Sequence, residues 1–222
     1  MDKRFWAIVV VIVLVFVGVV AIKGNKKTTT GSSAGVTSHT IGSGSTGVKL
    51  VEYGDYECPV CEGYTSTISQ VLAKYSDKIT FQFSNLPLSS IHPNAIAAAR
   101  AAEAADLQGK FWAMHDLLYQ NSNWSQWSTS SSPTPYFTQY AQQLGLNITK
   151  FNTDFQSDTA NNRINADIAA FQKTGQQEAT PTFFLDGKYV ANSSFLDSST
   201  QTPSLTAFSK ILDAEIAKKT TK

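Results

Sequence analysis

The chain has 222 residues, of which 42% are hydrophobic, so it is long enough to bury one sizeable core. Its 18 Lys and Arg residues against 17 Asp and Glu residues leave no basic surplus to neutralise a phosphate backbone, and the sequence has no glycine-rich phosphate loop. Neither nucleic acid nor nucleotide is therefore expected as a ligand, and two cysteines are too few for the several disulfides of a small secreted scaffold.

A long apolar segment lies near the N-terminus. Residues 5–22 carry no charge, and a helix of that length, at ~1.5 Å per residue, spans about 27 Å, enough to cross the apolar part of a membrane. A cleaved signal peptide is the alternative, although the segment exceeds the usual ~7–15 apolar residues. Basic residues flank both ends, so charge does not fix the orientation. We expect an N-terminal transmembrane helix within 1–22 and place the rest of the chain outside the cytoplasm.

Residues 23–47 are rich in Gly, Ser and Thr and have little apolar content. This composition is typical of a flexible tether between an anchor and a folded domain. His39 lies within it and is expected to be solvated. The chain is thus divided into an anchor (1–22), a tether (23–47) and a folded domain (48–222).

The hydrophobic pattern of the folded domain predicts the order β-α-β, a helical insert, then β-β-α. The expected elements are, in chain order, a strand at 48–53, a helix opening at Pro59, a strand at 79–83, a helical insert over about 93–175, a strand at 180–185, a tight turn at Asp186 and Gly187, a returning strand at 188–190 and an amphipathic helix over 205–216. The expected class is α/β.

The two cysteines lie at the start of the first predicted helix. Pro59 at its first position places Cys58 at the N-cap, where the sulfur is near the free backbone N–H groups of Val60 and Cys61 and the positive end of the helix dipole. These groups favour thiolate over thiol. We therefore expect a lowered pKa and an exposed, nucleophilic sulfur at Cys58, with Cys61 one turn deeper to resolve a mixed disulfide.

Two other interpretations of the cysteine pair remain open. A zinc site needs four ligands, but the chain has no second cysteine pair, and His92 and His115 do not have the spacing of a zinc motif. A purely structural disulfide would close a very short loop and contribute little entropy. No metal is expected.

In combination, these features resemble the DsbA-like branch of thioredoxin-fold oxidoreductases over roughly residues 40–220. The matching motifs are Cys58-Pro59-Val60-Cys61 at a helix start, His92-Pro93 and Gly109-Lys110-Phe111-Trp112 in the helical insert, and Thr180-Pro181 before the late strand. The resemblance implies a thioredoxin fold with a central mixed β-sheet and an inserted helical domain. It also implies thiol-disulfide exchange without a bound cofactor, because the redox groups are side chains.

The resemblance also implies roles for particular residues. It assigns a cis peptide bond to Pro181, on a loop that faces the cysteines. Thr180 and Pro181 would bind substrate backbone there, with Pro59 and Val60 of the cysteine motif also at the substrate site.

Glu52, six positions before Cys58, matches a buried acid beneath the cysteines of this fold. Such an acid could relay the proton of Cys61 when that thiol attacks a mixed disulfide, and desolvation should raise its pKa. An edge-strand carboxylate in water is the alternative.

The chain departs from the strongest oxidants of the family between its cysteines. Val60 stands where they often have a His that favours the thiolate, and Glu57 beside Cys58 should oppose it. We therefore expect a reduction potential below that of the strongest oxidants, between about −120 and −270 mV.

Four side chains outside the cysteine motif also receive predictions. His92 is expected to position the first insert helix rather than perform chemistry, and His115 to be a core residue. Trp124 and Trp127 lie in a predicted loop, 121–133. They either fold back onto the insert or offer apolar contact to unfolded substrate.

The expected function is an extracytoplasmic oxidase that passes its Cys58–Cys61 disulfide to reduced exported proteins. A quinone-linked membrane oxidase is the redox partner that the resemblance implies. A monomer is expected, because residues 23–47 are too short and polar for the dimerisation domain of an isomerase. The alternatives are a reductase or isomerase of the same fold, and a redox-inert binding or chaperone module.

Overall fold

The computed structural model describes residues 35–221. These residues form a five-stranded mixed β-sheet with the strand order β1-β3-β2-β4-β5. The strands are β1 (His39–Ile41), β2 (Val48–Gly54), β3 (Ile79–Asn85), β4 (Thr182–Leu185) and β5 (Lys188–Val190). β2 and β3 are parallel, whereas the other neighbouring pairs are antiparallel. The mixed sheet that the resemblance implied is thus confirmed.

Helices connect and cover the strands in the predicted order. They are α1 (Pro59–Tyr75), α2 (Ala95–Asp106), α3 (Phe111–Tyr119), α4 (Asn121–Trp127), α5 (Thr134–Gln143), α6 (Ile148–Phe155), α7 (Asp158–Gln172) and α8 (Leu205–Thr220), with a 3₁₀ turn at Asn192–Phe195. Helices α2 to α7 form the insert between β3 and β4, and the strand-to-strand turn at Asp186 and Gly187 has positive φ at both residues, as a tight hairpin requires.

Both faces of the sheet are covered. Side chains alternate along a strand, so Leu50 and Glu52 of β2 share the face on which α1 packs. Tyr53 points to the opposite face, where its ring centroid lies 5.1 Å from that of Phe171 in α7. A strand buried on both sides leaves little solvent around any polar side chain it carries, and Glu52 is such a side chain.

The predicted tether over 23–47 is wrong for its last part. Residues 39–41 form β1 and pair with β3, and His39 is 7% exposed, with Nε2 2.7 Å from Oε1 of Glu103. Gly42 adopts a φ of 97°, and a Cβ there would lie 2.3 Å from the carbonyl oxygen of Ile79. The polar residues after β1 therefore form a turn that packs on the domain. His39 is buried beside Glu103 of α2, which is distant in sequence.

The predicted loop over 121–133 is a helix in its first half. α4 buries Trp127 completely, and the indole N–H donates to the carbonyl oxygen of Leu118 at 2.9 Å. Trp124 is half-buried and donates to the carbonyl oxygen of Tyr56 at 2.8 Å. Of the two alternatives, folding back onto the insert holds for Trp127, whereas Trp124 packs on the loop before α1.

Among residues 35–221, no helix is long and apolar enough to cross a membrane. The predicted anchor at 5–22 lies outside the described residues. It stays a prediction.

Candidate active site

The cysteine motif lies where β2 passes into α1. Cys58 is the N-cap of α1 and Pro59 its first residue, as predicted. The Cys58 N–H donates to the carbonyl oxygen of Asp55 at 3.1 Å, and the N–H of Glu62 donates to the carbonyl oxygen of Cys58 at the same distance. Both cysteines are free thiols. The backbone therefore holds Cys58 at the end of the helix that favours negative charge.

The surroundings of Cys58 favour its thiolate and lower its pKa to about 6. The largest cause is a hydrogen bond from the Cys61 thiol, followed by burial, which acts in the opposite direction. The side chain of Thr180 and the backbone N–H groups of Cys61 and Val60 lower the pKa further. The predicted direction is confirmed, and the neighbouring thiol contributes more than the helix N–H groups.

Cys61 is the opposite case. Burial is the largest of the causes that raise the pKa of its thiol well above the ordinary value, and its hydrogen bond to Cys58 and the charges of Cys58 and Glu52 add to it. The two thiols of the motif therefore differ in pKa, so that Cys58 favours the thiolate and Cys61 the protonated thiol. This division matches the predicted pair of attacking and resolving thiols.

Cys58 is less accessible than predicted, with only 5% of its surface exposed. Its Sγ lies 3.4 Å from the carbonyl oxygen of Thr180, so the loop before β4 covers it. Val60, at 52% exposed, and Pro59 remain on the surface beside the sulfur. The prediction of an exposed sulfur is therefore wrong, because the loop before β4 covers it.

The loop before β4 faces the cysteines, as the resemblance implied. The Thr180–Pro181 peptide bond is cis. The Pro181 carbonyl oxygen accepts a hydrogen bond from Nδ2 of Asn192 at 2.6 Å. The structure places both residues beside Cys58. Their role in binding substrate backbone remains a prediction.

Glu52 lies on a central strand and not at an edge. It is opposite Phe83 of β3 on one side and Phe183 of β4 on the other, and is 5% exposed. Desolvation, followed by the negative charge of Cys58, raises its pKa to about 8. The alternative of a solvated carboxylate is wrong, and the predicted direction of the shift is confirmed. The proton-relay role stays a prediction.

Asp55 holds the loop before the cysteines, a role that the sequence analysis missed. Its buried carboxylate accepts hydrogen bonds from the N–H groups of Glu57 and Leu88, each at 2.8 Å, and lies 2.7 Å from Nδ1 of His92. His92 thus contacts the cysteine loop directly, in addition to leading into the insert. The hydrogen bond from the N–H of Glu57 to the side chain of Asp55, two residues earlier, is an Asx turn. Such a turn is a local pattern from which the role of Asp55 could have been predicted.

Glu57 serves the insert instead of opposing the thiolate. Its Oε2 accepts the N–H of Asn94 at 2.5 Å, at the start of α2. Burial raises the pKa of Glu57, while that hydrogen bond lowers it, and Glu57 is not among the main groups that shift the pKa of Cys58. The predicted opposition is therefore not found, since the carboxylate caps a helix N-terminus.

The chain is similar to known thioredoxins. Residues 34–214 match the family described as Thioredoxin. Alpha-DsbA1 of Wolbachia pipientis has the same fold with a TM-score of 0.66 and 19% identity, over 83% of this chain and 94% of that one. Oxidised BdbD of Bacillus subtilis has a TM-score of 0.64 and 18% identity, over 83% of this chain and 97% of that one. These likenesses concern the fold.

Part of the chain also resembles longer curated proteins. It is 38% identical over 141 residues to a protein of Mycolicibacterium gilvum named Na(+)/H(+) antiporter NhaA 1, which covers 63% of this chain. The matched part is 22% of that protein, so the chain spans about a fifth of the length of the curated relatives it matches. The remainder of those relatives has no counterpart in this alignment.

Proposed function

This chain belongs to the thioredoxin family, and we propose that its thiol-disulfide oxidoreductase activity runs in the oxidising direction, outside the cytoplasm, on reduced exported proteins. The observation that carries the proposal is the position of Cys58 at the N-cap of α1, beside the Cys61 thiol and the Thr180–Pro181 loop, which lowers its pKa to about 6. A thiolate that is stable at neutral pH stabilises the reduced pair, and a stable reduced form makes the corresponding disulfide an oxidant.

Oxidation of a substrate begins at Cys58. A substrate thiolate attacks Cys58 Sγ, the Cys58–Cys61 bond breaks, and Cys61 leaves as a thiolate that takes a proton from Glu52. A second substrate thiolate then attacks the substrate sulfur of the mixed disulfide. Cys58 leaves as a thiolate, which its low pKa favours. The substrate gains a disulfide and the cysteine pair gains the two electrons.

The pair must then be reoxidised by a disulfide partner. The Cys58 thiolate attacks the partner's disulfide, Cys61 gives its proton to Glu52, and Cys61 Sγ displaces the partner's thiolate from Cys58. We propose a quinone-linked membrane oxidase as this partner and a membrane location through residues 5–22. A monomer suffices, because both thiols, Glu52 and the Pro181 loop belong to one chain.

Substitution of Cys58 by Ser tests the activity. The wild-type protein should reactivate reduced ribonuclease, and Cys58→Ser should lose this activity to background, because the first mixed disulfide cannot form. Activity that survives the substitution would leave only a redox-inert binding or chaperone module.

Alkylation trapping in cells tests the direction. A mostly oxidised pair supports the oxidase, and a mostly reduced pair supports a reductase or isomerase. The same reagent in vitro should modify Cys58 with a midpoint near pH 6. A midpoint at the ordinary thiol value of about 8.5 would contradict the electrostatic basis of the proposal.

A further inference from the structure

Two loops are joined to each other just before the cysteine motif. One loop, 55–58, connects β2 to α1 and carries Cys58, and the other, 86–94, connects β3 to α2. Asp55 and Glu57 lie in the first loop and are both buried, and each carboxylate accepts a backbone N–H of the second loop, at 2.8 and 2.5 Å. Charge-assisted hydrogen bonds therefore fix the segment that carries Cys58 to the start of the insert.

His92 supplies a side-chain donor to this junction. Its Nδ1 lies 2.7 Å from Oδ2 of Asp55, whose side chain is completely buried. An ionised carboxylate only accepts hydrogen bonds, so Nδ1 carries the hydrogen. Among residues 35–221, the other donors to this carboxylate are the backbone N–H groups of Glu57 and Leu88, which most side chains at those positions would leave in place. His92 is therefore the donor whose presence depends on the identity of a side chain.

The main chain of Asp55 contacts the motif on both sides. Its carbonyl oxygen accepts the N–H of Cys58 at 3.1 Å and the hydroxyl of Tyr119 at 2.9 Å. Burial, the largest cause, raises the pKa of Cys61, whereas a hydrogen bond from the N–H of Asp55 lowers it. A hydrogen bond to a thiolate stabilises the charged form. The position of the Asp55 main chain therefore affects how well Cys61 carries a negative charge.

Cys61 carries that charge in both halves of the proposed cycle. It leaves Cys58 as a thiolate when a substrate attacks, and it attacks Cys58 as a thiolate when the partner is released. The charges of Cys58 and Glu52 both disfavour a thiolate at this position. A donor that is already in place when the charge develops stabilises it without reorganisation. The N–H of Asp55 is such a donor.

We propose that His92 is a positioning residue for thiol-disulfide exchange: its Nδ1–H holds the Asp55 carboxylate and so keeps the Asp55 N–H directed at the Cys61 sulfur while that sulfur is negatively charged. The inference rests on the proposed function, since it concerns the steps in which Cys61 leaves or attacks. His92 acts through Asp55 and exchanges no proton with either thiol. The loop between β3 and α2 thereby serves the cysteine pair from outside the motif.

The Cys58 thiolate depends on other groups. The Cys61 thiol, the side chain of Thr180 and the first N–H groups of α1 favour it against the effect of burial. The hydrogen bond of His92 goes to Asp55 and not to these groups. Loss of the His92 donor should therefore impair Cys61 and leave the Cys58 thiolate in place, whereas a general loosening of the domain would affect both thiols.

The test follows the release of glutathione from Cys58. The full-length protein is loaded with glutathione on this residue. The Cys61 thiolate then attacks Cys58 Sγ, the bond to glutathione breaks, glutathione leaves as a thiolate, and the Cys61 proton passes to Glu52. His92→Leu removes the donor to Asp55, so we expect release at pH 7 to be about tenfold slower, an effect of the size expected for a lost hydrogen bond to a charged group.

Two amides at position 92 separate the donor from the polarity of the side chain. Asn places an N–H where Nδ1 of the histidine lies, so His92→Asn should release glutathione within about threefold of the wild-type rate. Gln places its amide at the position of Nε2, so His92→Gln should be as slow as His92→Leu. Ile91→Ala is the matched control, because Ile91 is the neighbour of His92 in the same loop and is 68% exposed. It should behave as wild type.

Two further measurements show whether His92 acts through Asp55 on Cys61. Asp55→Asn combined with His92→Leu should be no slower than the slower single variant, because both substitutions break the same link. The alkylation midpoint of Cys58 should stay near pH 6 in all the His92 variants. A wild-type rate in His92→Leu, additive losses in the double variant, or a raised midpoint at Cys58 would overturn the inference.

The two amide variants keep the inference testable if His92→Leu does not fold. Equal rates of glutathione release in His92→Asn and His92→Gln would then overturn it. If wild type itself releases no glutathione, the proposed function fails instead.

Discussion

Carboxylates are buried both near β1 and beneath the cysteines, but their hydrogen-bond partners differ. At the end of the sheet near β1, Glu103 is fully buried, yet His39, Asn85 and Arg163 all contact its oxygens, at 2.7, 2.8 and 3.2 Å. At the cysteines, Glu52 has a cavity in place of such partners. A buried carboxylate with a full set of donors links elements of the fold, whereas one without such donors is left available for proton exchange.

Asp167 belongs to the first kind. Its carboxylate accepts the N–H and hydroxyl of Thr37 at 2.8 and 2.7 Å and the N–H of Asn85 at 2.9 Å, linking α7, β3 and the segment before β1. Glu103, Asp167 and their donors form one continuous polar network. The network includes a cluster of His39, Glu103 and Asp106. The guanidinium of Arg163 forms ion pairs with both acids of this cluster.

The largest effect should come from breaking this network. Glu103→Ala removes the acceptor of the buried His39 and one acceptor of the buried Asn85 amide, and leaves Arg163 with Asp106 alone, so we expect a loss of about 3–5 kcal/mol in the free energy of unfolding. Denaturant titration measures it. Glu178→Ala, at an exposed site, is the control and should change stability by no more than about 0.5 kcal/mol. A small effect at Glu103 would remove the distinction between the two regions.

Glu52→Gln should change stability in the opposite direction. The folded-state pKa of Glu52 is raised from 4.5 to about 8, so the folded protein binds the proton more tightly than the unfolded chain. Its stabilising contribution is fully present below about pH 4.5 and is lost as the pH rises to about 8. We expect the free energy of unfolding of the variant to gain on that of wild type across this window, by on the order of 4 kcal/mol between pH 4 and pH 8.

Glu52→Gln should also slow the thiol-disulfide exchange reaction. Glu52→Gln cannot accept the Cys61 proton, so glutathione release from Cys58 should slow by roughly 100-fold while the alkylation midpoint of Cys58 stays below the ordinary thiol value. A variant less stable than wild type at pH 8, or equally fast in glutathione release, would place Glu52 with Glu103 as a structural carboxylate.

Glu57→Gln should have the smallest effect. Glu57 lies beside Cys58, but its carboxylate bonds the start of α2. Loss of that charge-assisted bond should cost about 1 kcal/mol in the free energy of unfolding. The alkylation midpoint of Cys58 should stay near pH 6, with Glu62→Gln as the control on α1. A clear fall in the midpoint would show that Glu57 acts on the thiolate after all.

Some elements could be predicted because neighbouring residues decide them. Pro59 at the first position of a helix puts Cys58 at its N-cap, and the Asp186-Gly187 pair makes a hairpin turn, each from backbone geometry within a few residues. The buried face of α1 likewise follows from apolar residues at helical spacing.

Other features depended on partners far along the chain. His39 is buried beside Glu103, which lies 64 positions away in sequence, and the Glu57 carboxylate accepts a hydrogen bond from a backbone N–H 37 positions away. The sequence predicted a solvated His39 and a Glu57 that opposes the Cys58 thiolate, and the structure shows neither. Nothing local marks such a partner, because a polar residue looks the same whether water or a distant donor satisfies it.

The position of the reactive sulfur and the helix end that supports it follow from neighbouring residues, because an N-cap is made by adjacent residues. The acidity of each group, in contrast, depends on the packing of the whole domain. The shifts at Cys58, Cys61 and Glu52 depend on burial and on charges brought together from different strands and helices. Solvation is a property of the packed molecule, and it separates a carboxylate that exchanges protons from one that holds the fold.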